Sequence, residues 1–400
     1  MKKLVFLFLS GFIISINLSA QDTALWDMKK LAAAPRFTWI NADTAKVREI
    51  IYKGEPFGNI TQTDVFAYYS TPGILAGDPK LDHNLPAVVL VHGGGGKAFK
   101  EWVILWAKRG YAAIAMDLSG NGKDGKRLPN GGPDQGTRTK YNIDSALNKQ
   151  WVYHSVANVI LAHSLINSFH EVDPNRTAIT GISWGGFLTC IVTGIDERFK
   201  VAVPVYGCGY IDEPGGYFYD NDMKHISPDV KAKWTAQYGP EHYIGKATMP
   251  FLWVNGTKDP FYPPNIFSKT YNLVKTPENF RLTTDMVHGH EPGWAPNEIG
   301  LFIDHYLIKG KALPIIAKID MKKEGVQVKV KTETGLAGAT LSYTIDTMLP
   351  YKDRKWITVP AKINGTNIIA DAPPANTTIW ILNATDDNGS IVSSSYQFGK

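Results

Sequence analysis

Ser183 lies in TAITGISWGG, where Gly181, Ser183 and Gly185 form a G-x-S-x-G pattern. Small residues around a serine suit a sharp, strained turn from strand to helix that pushes the hydroxyl out above a sheet. Five such residues arise by chance in many chains, but here a strand-like run precedes them and a helical run follows, which is the context the motif needs. A serine hydroxyl is a poor nucleophile until a base takes its proton. A histidine oriented by a carboxylate is therefore expected downstream, in the order serine, acid, histidine. Asp259, in FLWVNGTKDPFYPP, follows a strand-like run, and open α/β sheets build their sites at such strand ends. An aspartate before proline also forms turns, which is the ordinary reading of one in isolation. The next strand-like run leads into DMVHGHEPGW, which offers His288 and His290. One of the two completes the triad, and the other faces substrate or supports the site from behind.

Acyl transfer through a serine passes a tetrahedral intermediate whose oxyanion needs two N–H donors. The backbone of Trp184, directly after the nucleophile at a helix N-terminus, is one candidate. The other is Gly94, in the run HGGGG from His92 to Gly96, where missing side chains let the backbone approach a substrate oxygen. The same glycines do not make a phosphate-binding loop, because no G-K-S/T follows in register. This chemistry requires no metal and no organic cofactor.

The elements that must position these groups run from Pro86 to Lys309, where strand-length apolar runs alternate with helical stretches, the pattern of a mostly parallel sheet with helices on both faces. AVVLVHG, YAAIAMD, TAITGIS, VAVPVYG, FLWVNG and FRLTT read as its strands. KAFKEWVILWAKRG, the stretch 149–170, the run after Ser183 and NEIGLFIDHYLIKG read as helices. Upstream, VREIIYKG and DVFAYYSTP read as antiparallel strands extending one edge. The segments 121–141 and 209–246 follow strand ends and are expected to shape the pocket. After Pro314 the pattern changes to short alternating runs, VQVKVKT through SSSYQF, separated by Gly, Asn, Asp and Pro. These imply a small all-β, sandwich-like domain that packs against or extends the rest. It holds no cluster of His, Cys or carboxylates with site spacing.

The opening segment MKKLVFLFLSGFIISINLSA pairs Lys2 and Lys3 with an apolar run too short to span a bilayer, the form of a cleaved export signal. The expected organisation is a signal peptide over 1–20, an α/β domain over 21–312 and the β domain over 313–400. Export to periplasm or medium follows, with no membrane insertion after cleavage. The formal charge is +5, of which Lys2 and Lys3 supply two, leaving +3, too little and too scattered for a nucleic-acid partner. Two cysteines, Cys190 and Cys208, do not make a disulfide scaffold, and buried thiols are the plainer expectation for them. The oligomeric state cannot be read from these residues.

Together, HGGGG with WAKRGYAAIAMDLSGNG, VDPNRTAITGISWGG, DPFYPPN, and HGHEPGW with EIGLF resemble the acetyl xylan esterase and cephalosporin C deacetylase group. That group stands near the dienelactone hydrolases and the prolyl oligopeptidase catalytic domains. The resemblance implies an α/β-hydrolase fold, with Ser183, Asp259 and His288 as triad and Gly94 and Trp184 as backbone oxyanion donors. His288 is selected over His290 because the group's base stands seven residues beyond the position of Arg281, ten before that of Glu298 and fourteen before that of Phe302. The chain departs from the group at Trp184, where a glutamine is usual, and at His288-Gly289, where a His-Glu pair is usual. The expected activity is carboxylic ester hydrolysis through an acyl-enzyme, deacetylating a small-molecule or oligosaccharide ester. Two alternatives stand beside it. A prolyl oligopeptidase-type peptidase shares the site chemistry, but the stretch before Pro86 is short for the propeller such enzymes carry. A non-catalytic glycan-binding protein would have no use for an ordered Ser, Asp and His with a glycine loop.

Overall fold

The computed structural model describes residues 25–41, 44–319, 321–322 and 325–399, so the stretch 1–20, expected to be an export signal, lies outside the described residues. The central strands are β1 (Phe37–Trp39), β2 (Arg48–Lys53), β3 (Asp64–Ser70), β4 (Leu85–Val91), β5 (Ala112–Met116), β6 (Val172–Ile182), β7 (Val201–Val205), β8 (Phe251–Gly256) and β9 (Glu278–Thr283). They pair in the order β1-β2-β3-β5-β4-β6-β7-β8-β9. The first three enter antiparallel, and β5 through β9 run parallel.

Strands β4, β5, β7 and β8 are almost wholly buried, which is why they read as unbroken apolar runs rather than alternating ones. The helices Lys100–Lys108, Trp151–Ile166, Trp184–Thr193 and Asn297–Ile308 cover the sheet. Trp151–Ile166 is buried on every face, because the N-terminal segment with Trp26 and Leu31 closes its outer side, and Ser164 donates to the Leu31 carbonyl at 2.6 Å. Each fully buried large side chain here contributes roughly 1.5–3 kcal/mol of transfer free energy.

Topology places the chemistry. Strand β4 lies between β5 and β6, so the chain leaves it in one direction and β6 flanks it on the other side, with Val91 in register with Gly181. The glycine run after β4 and the serine after β6 therefore emerge side by side at the carboxyl edge, the crevice where such sheets hold ligands. The loops after β8 and β9 open at the same edge.

Beyond β9 the sheet continues. Ile391–Ser393 pairs antiparallel with β9, followed by Ile379–Asp386, Leu336–Thr344 and Ile357–Pro360, with Gln397–Phe398 also on Ile379–Asp386. Among the described residues this makes one 14-stranded sheet. A second sheet of five strands, Ile315–Ile316, Met321–Lys322, Gly325–Lys331, Lys362–Asn364 and Asn367–Ala370, stands apart from it. Gly325–Lys331 alternates as its sequence does, burying Val326, Val328 and Val330. The joint with β9 is chemically specific. Ser393 Oγ accepts from Leu282 N–H at 2.7 Å and donates to the Leu282 carbonyl at 3.0 Å, and Glu298 accepts from Ile391 N–H at 2.7 Å. Cys190 and Cys208 are free and buried.

Candidate active site

Ser183 sits between β6 and the helix Trp184–Thr193 with φ 59° and ψ −118°, a conformation that costs a non-glycine residue of order 1–3 kcal/mol. Two backbone hydrogen bonds hold it there: Ser183 N–H donates to Val205 at 2.9 Å, and Phe187 N–H donates to Ser183 at 2.9 Å. The flanking glycines are required by close approach. A Cβ on Gly185 would fall 2.0 Å from the Val91 carbonyl oxygen, and one on Gly181 would fall 2.2 Å from that of Gly185. Ser183 is 8 % exposed, and its hydroxyl faces His288.

His288 Nε2 lies 2.9 Å from Ser183 Oγ, and its Nδ1 lies 2.6 Å from Asp259 Oδ2. With the carboxylate accepting at Nδ1–H, Nε2 carries the lone pair and accepts from the serine hydroxyl. Asp259 is 2 % exposed, and its other oxygen accepts from Phe261 N–H and Tyr262 N–H, both at 2.8 Å. The Asp-Pro turn is thus the means by which the carboxylate is aimed. The His288 ring packs against Tyr206 and Phe261, with each ring centre 4.4 Å from its own. Tyr206, itself at φ 65°, donates its hydroxyl to the Val287 carbonyl at 2.7 Å. Burial pushes the Tyr206 phenol up, so it stays a neutral donor.

The structure brings Ser183, Asp259 and His288 together and keeps His290 out of that relay. His290 Nε2 instead accepts from Gly93 N–H at 3.0 Å, inside the glycine run. His92 accepts from Leu118 N–H on Nε2 at 3.0 Å and so donates from Nδ1 to the Gly93 carbonyl at 2.8 Å. Burial lowers both His92 and His290 to about 4, so both are neutral at pH 7. Gly95 N–H donates to Gln135 Oε1 at 3.0 Å, and Gly96 N–H donates to the Gly93 carbonyl at 3.1 Å. Gly94 N–H and Trp184 N–H have no hydrogen-bond partner among the described residues.

The indole of Trp184 is buried beneath the glycine run, packed edge-on against Trp151 and Phe218. Lys140 Nζ lies 5.0 Å from the centre of the same indole, and burial lowers its pKa. Gln135 and Lys140 come from the segment 121–141 and Phe218 from 209–246, so both segments reach the site. Sequence reading missed Tyr206, Phe261, Gln135 and the role of His92; of the two places it left open for His290, facing substrate or supporting the site from behind, the bond to Gly93 fits the second. Phe261 alone carried a signal, as the residue two after Asp259 in a rigid Pro-rich turn. Among the described residues, no group of three or more His, Cys, Asp or Glu is arranged to hold a metal ion.

The acetyl xylan esterase family matches residues 21–210, and the family described as PhoPQ-activated pathogenicity-related protein matches residues 192–344. Acetyl esterase Axe7A of Xylanibacter ruminicola is 23 % identical over 218 residues, covering 51 % of this chain and 49 % of its own. The uncharacterized peptidase YuxL of Bacillus subtilis is 26 % identical over 187 residues, covering 44 % of this chain and 26 % of its own. This chain therefore spans about half, or less, of the length of these curated relatives. The acetyl xylan esterase of Paenibacillus sp. R4 superposes with a TM-score of 0.54 at 22 % identity, over 70 % of this chain and 92 % of that one. Acetyl xylan esterase 1 of Thermoanaerobacterium sp. does so with a TM-score of 0.54 at 16 % identity and the same coverage. Strand order and the serine turn agree with the α/β-hydrolase fold of the superposed structures, and over residues 21–210, just under half of its length, the chain is similar to the acetyl xylan esterases.

Proposed function

We propose that this protein is an exported carboxylic ester hydrolase that works through an acyl-enzyme and removes acetyl or similar small acyl groups from polysaccharides or oligosaccharides. The observation that carries this reading is the unbroken relay from Asp259 through His288 to Ser183, with contacts of 2.6 and 2.9 Å. Ser183 attacks the ester carbonyl as His288 takes its proton, and Asp259 stabilises the resulting imidazolium. Gly94 N–H and Trp184 N–H receive the oxyanion, and their unpaired state supports that role. His288 then gives its proton to the departing sugar oxygen, which leaves as the free alcohol. Water, activated by the same histidine, releases the acid and restores Ser183.

The acetyl preference rests on the family match over 21–210 and on the acetyl esterase Axe7A. Export rests on the pattern of residues 1–20, and the division into a hydrolase unit over 21–312 and a β unit over 313–400 rests on the change of sequence pattern. A peptidase is the second reading, favoured by the peptidase YuxL among the relatives. Incubation with a chromogenic acetate ester and with a chromogenic dipeptide amide separates the two. Rapid turnover of the ester with a negligible rate on the amide is the expected result. A faster rate on the amide would replace the esterase reading with the peptidase one, and inertness toward both, from a folded protein, would reject each.

A further inference from the structure

We propose that His290 is a positioning residue for the oxyanion loop: by accepting Gly93 N–H on Nε2, it aims the Gly94 N–H at the oxygen of the tetrahedral intermediate. The inference rests on the esterase reading above and adds to it a residue that acts through the backbone of the glycine run. Of the four N–H groups from Gly93 to Gly96, three are spent on His290, Gln135 and the Gly93 carbonyl, and only that of Gly94 is free among the described residues. Gly93 C=O and Gly94 N–H belong to one planar trans peptide and point in opposite directions. Holding Gly93 on both sides, by His290 at its N–H and by His92 Nδ1–H and Gly96 N–H at its carbonyl, therefore fixes where Gly94 N–H points.

The position calls for histidine on chemical grounds. Lys or Arg offers no acceptor. A carboxylate would accept well, but it would set a negative charge beside a developing oxyanion and oppose the charge that the loop must stabilise. A neutral imidazole accepts without charge, and burial keeps His290 neutral. The ring is braced for the task. Phe99 packs on it with centres 4.6 Å apart, Trp294 packs on Phe99 at 5.2 Å, and Trp102 stacks on Trp294 at 5.3 Å. The room is filled to the extent that a Cβ on Gly96 would lie 2.7 Å from His290 Nε2 and 2.9 Å from His92 Nδ1. That glycine is thus required by the two histidines.

The test compares wild type with His290→Gln, whose side-chain oxygen can take the place of Nε2, and His290→Leu, which fills the space without an acceptor. Ser183→Ala serves as the control for the esterase reading. On a chromogenic acetate the Leu variant is expected to lose roughly 10–100-fold in kcat, somewhat less than outright removal of an oxyanion donor, with KM within about threefold. Gln is expected to recover most of that loss. Affinity for a boronic acid, which mimics the tetrahedral oxyanion, falls in parallel with kcat/KM. Wild-type kcat in the Leu variant, a change confined to KM, or equal losses in Leu and Gln would each overturn the positioning role, while an inert Ser183→Ala control leaves the esterase reading standing. If the Leu variant does not fold, 15N-histidine NMR of the wild-type protein at pH 7 decides. The proposal expects an unprotonated Nε2 on His290, and an Nε2–H there overturns it.

Discussion

Replacing Asp259 with Asn tests the relay without disturbing its scaffold. Phe261 N–H and Tyr262 N–H, each at 2.8 Å, demand an acceptor, so the new side chain keeps its oxygen toward them and turns its NH2 to the place of Oδ2. That donor then stands 2.6 Å from His288 Nδ1, too close for a second N–H to face it. His288 must hold its proton on Nε2 instead, where it donates to Ser183 and can no longer accept from it. The base is lost, and so is the carboxylate opposite the imidazolium. The expected loss in kcat is about 10^4-fold, equivalent to about 5 kcal/mol of transition-state stabilisation. Because the loop hydrogen bonds survive, the melting temperature should move by only a few degrees. Asp259→Ala instead leaves both N–H groups without an acceptor, costing about 1–3 kcal/mol for each that stays buried, so it loses stability along with activity. Stopped-flow and steady-state rates on a chromogenic acetate, read beside thermal melts, separate the two effects. An Asn variant within about tenfold of wild type would refute the assignment of Asp259 as the orienting acid.

Ser183→Ala should fold normally and lose several orders of magnitude in ester hydrolysis, keeping only what binding and the oxyanion donors supply; activity within about tenfold of wild type rejects Ser183 as nucleophile. Ser393→Ala removes the acceptor for Leu282 N–H and the donor to its carbonyl, and should lower unfolding free energy by about 1–3 kcal/mol in a denaturant titration; an unchanged midpoint would mean that the joint to β9 holds without it. Burial raises the Glu278 carboxyl to about 8, so between its ordinary 4.5 and that value the folded protein holds a proton that the unfolded chain has shed. Stability contributed by that proton is present at low pH and is lost as pH rises through this window, so Glu278→Gln should raise the melting temperature at pH 9 and leave it nearly unchanged at pH 4; equal shifts at both would rule out the linkage.

The parallel core was legible because β4, β5, β7 and β8 are buried on both faces and so write themselves as apolar runs of strand length. Ser183 was legible for a related reason, since its backbone angles demand small neighbours and leave a local signature. Register selected His288, and the structure supplies the physical basis: Arg281 and Glu298, two of the positions counted from, face each other at 3.4 Å across the loop that carries it. What escaped was long-range. Ile391–Ser393 is three residues long, too short for any alternation to register, yet it turns the C-terminal strands into a continuation of the hydrolase sheet. Its partner β9 would otherwise present an open edge, and Glu298, from the same pair that fixes the His288 loop, also accepts from Ile391 N–H. The strand Ile391–Ser393 is thereby tied by a hydrogen bond to Glu298, the partner of Arg281 beside the loop that carries His288. The partner of His290 escaped in the same way. That partner, Gly93, is 197 residues away, and nothing local to HGHEPGW distinguishes a ring that accepts from a distant glycine from one that faces substrate. Local strain and burial leave marks in a sequence, whereas a single hydrogen bond between remote loops leaves none, and in this protein the supporting parts of the site are built from bonds of that second kind.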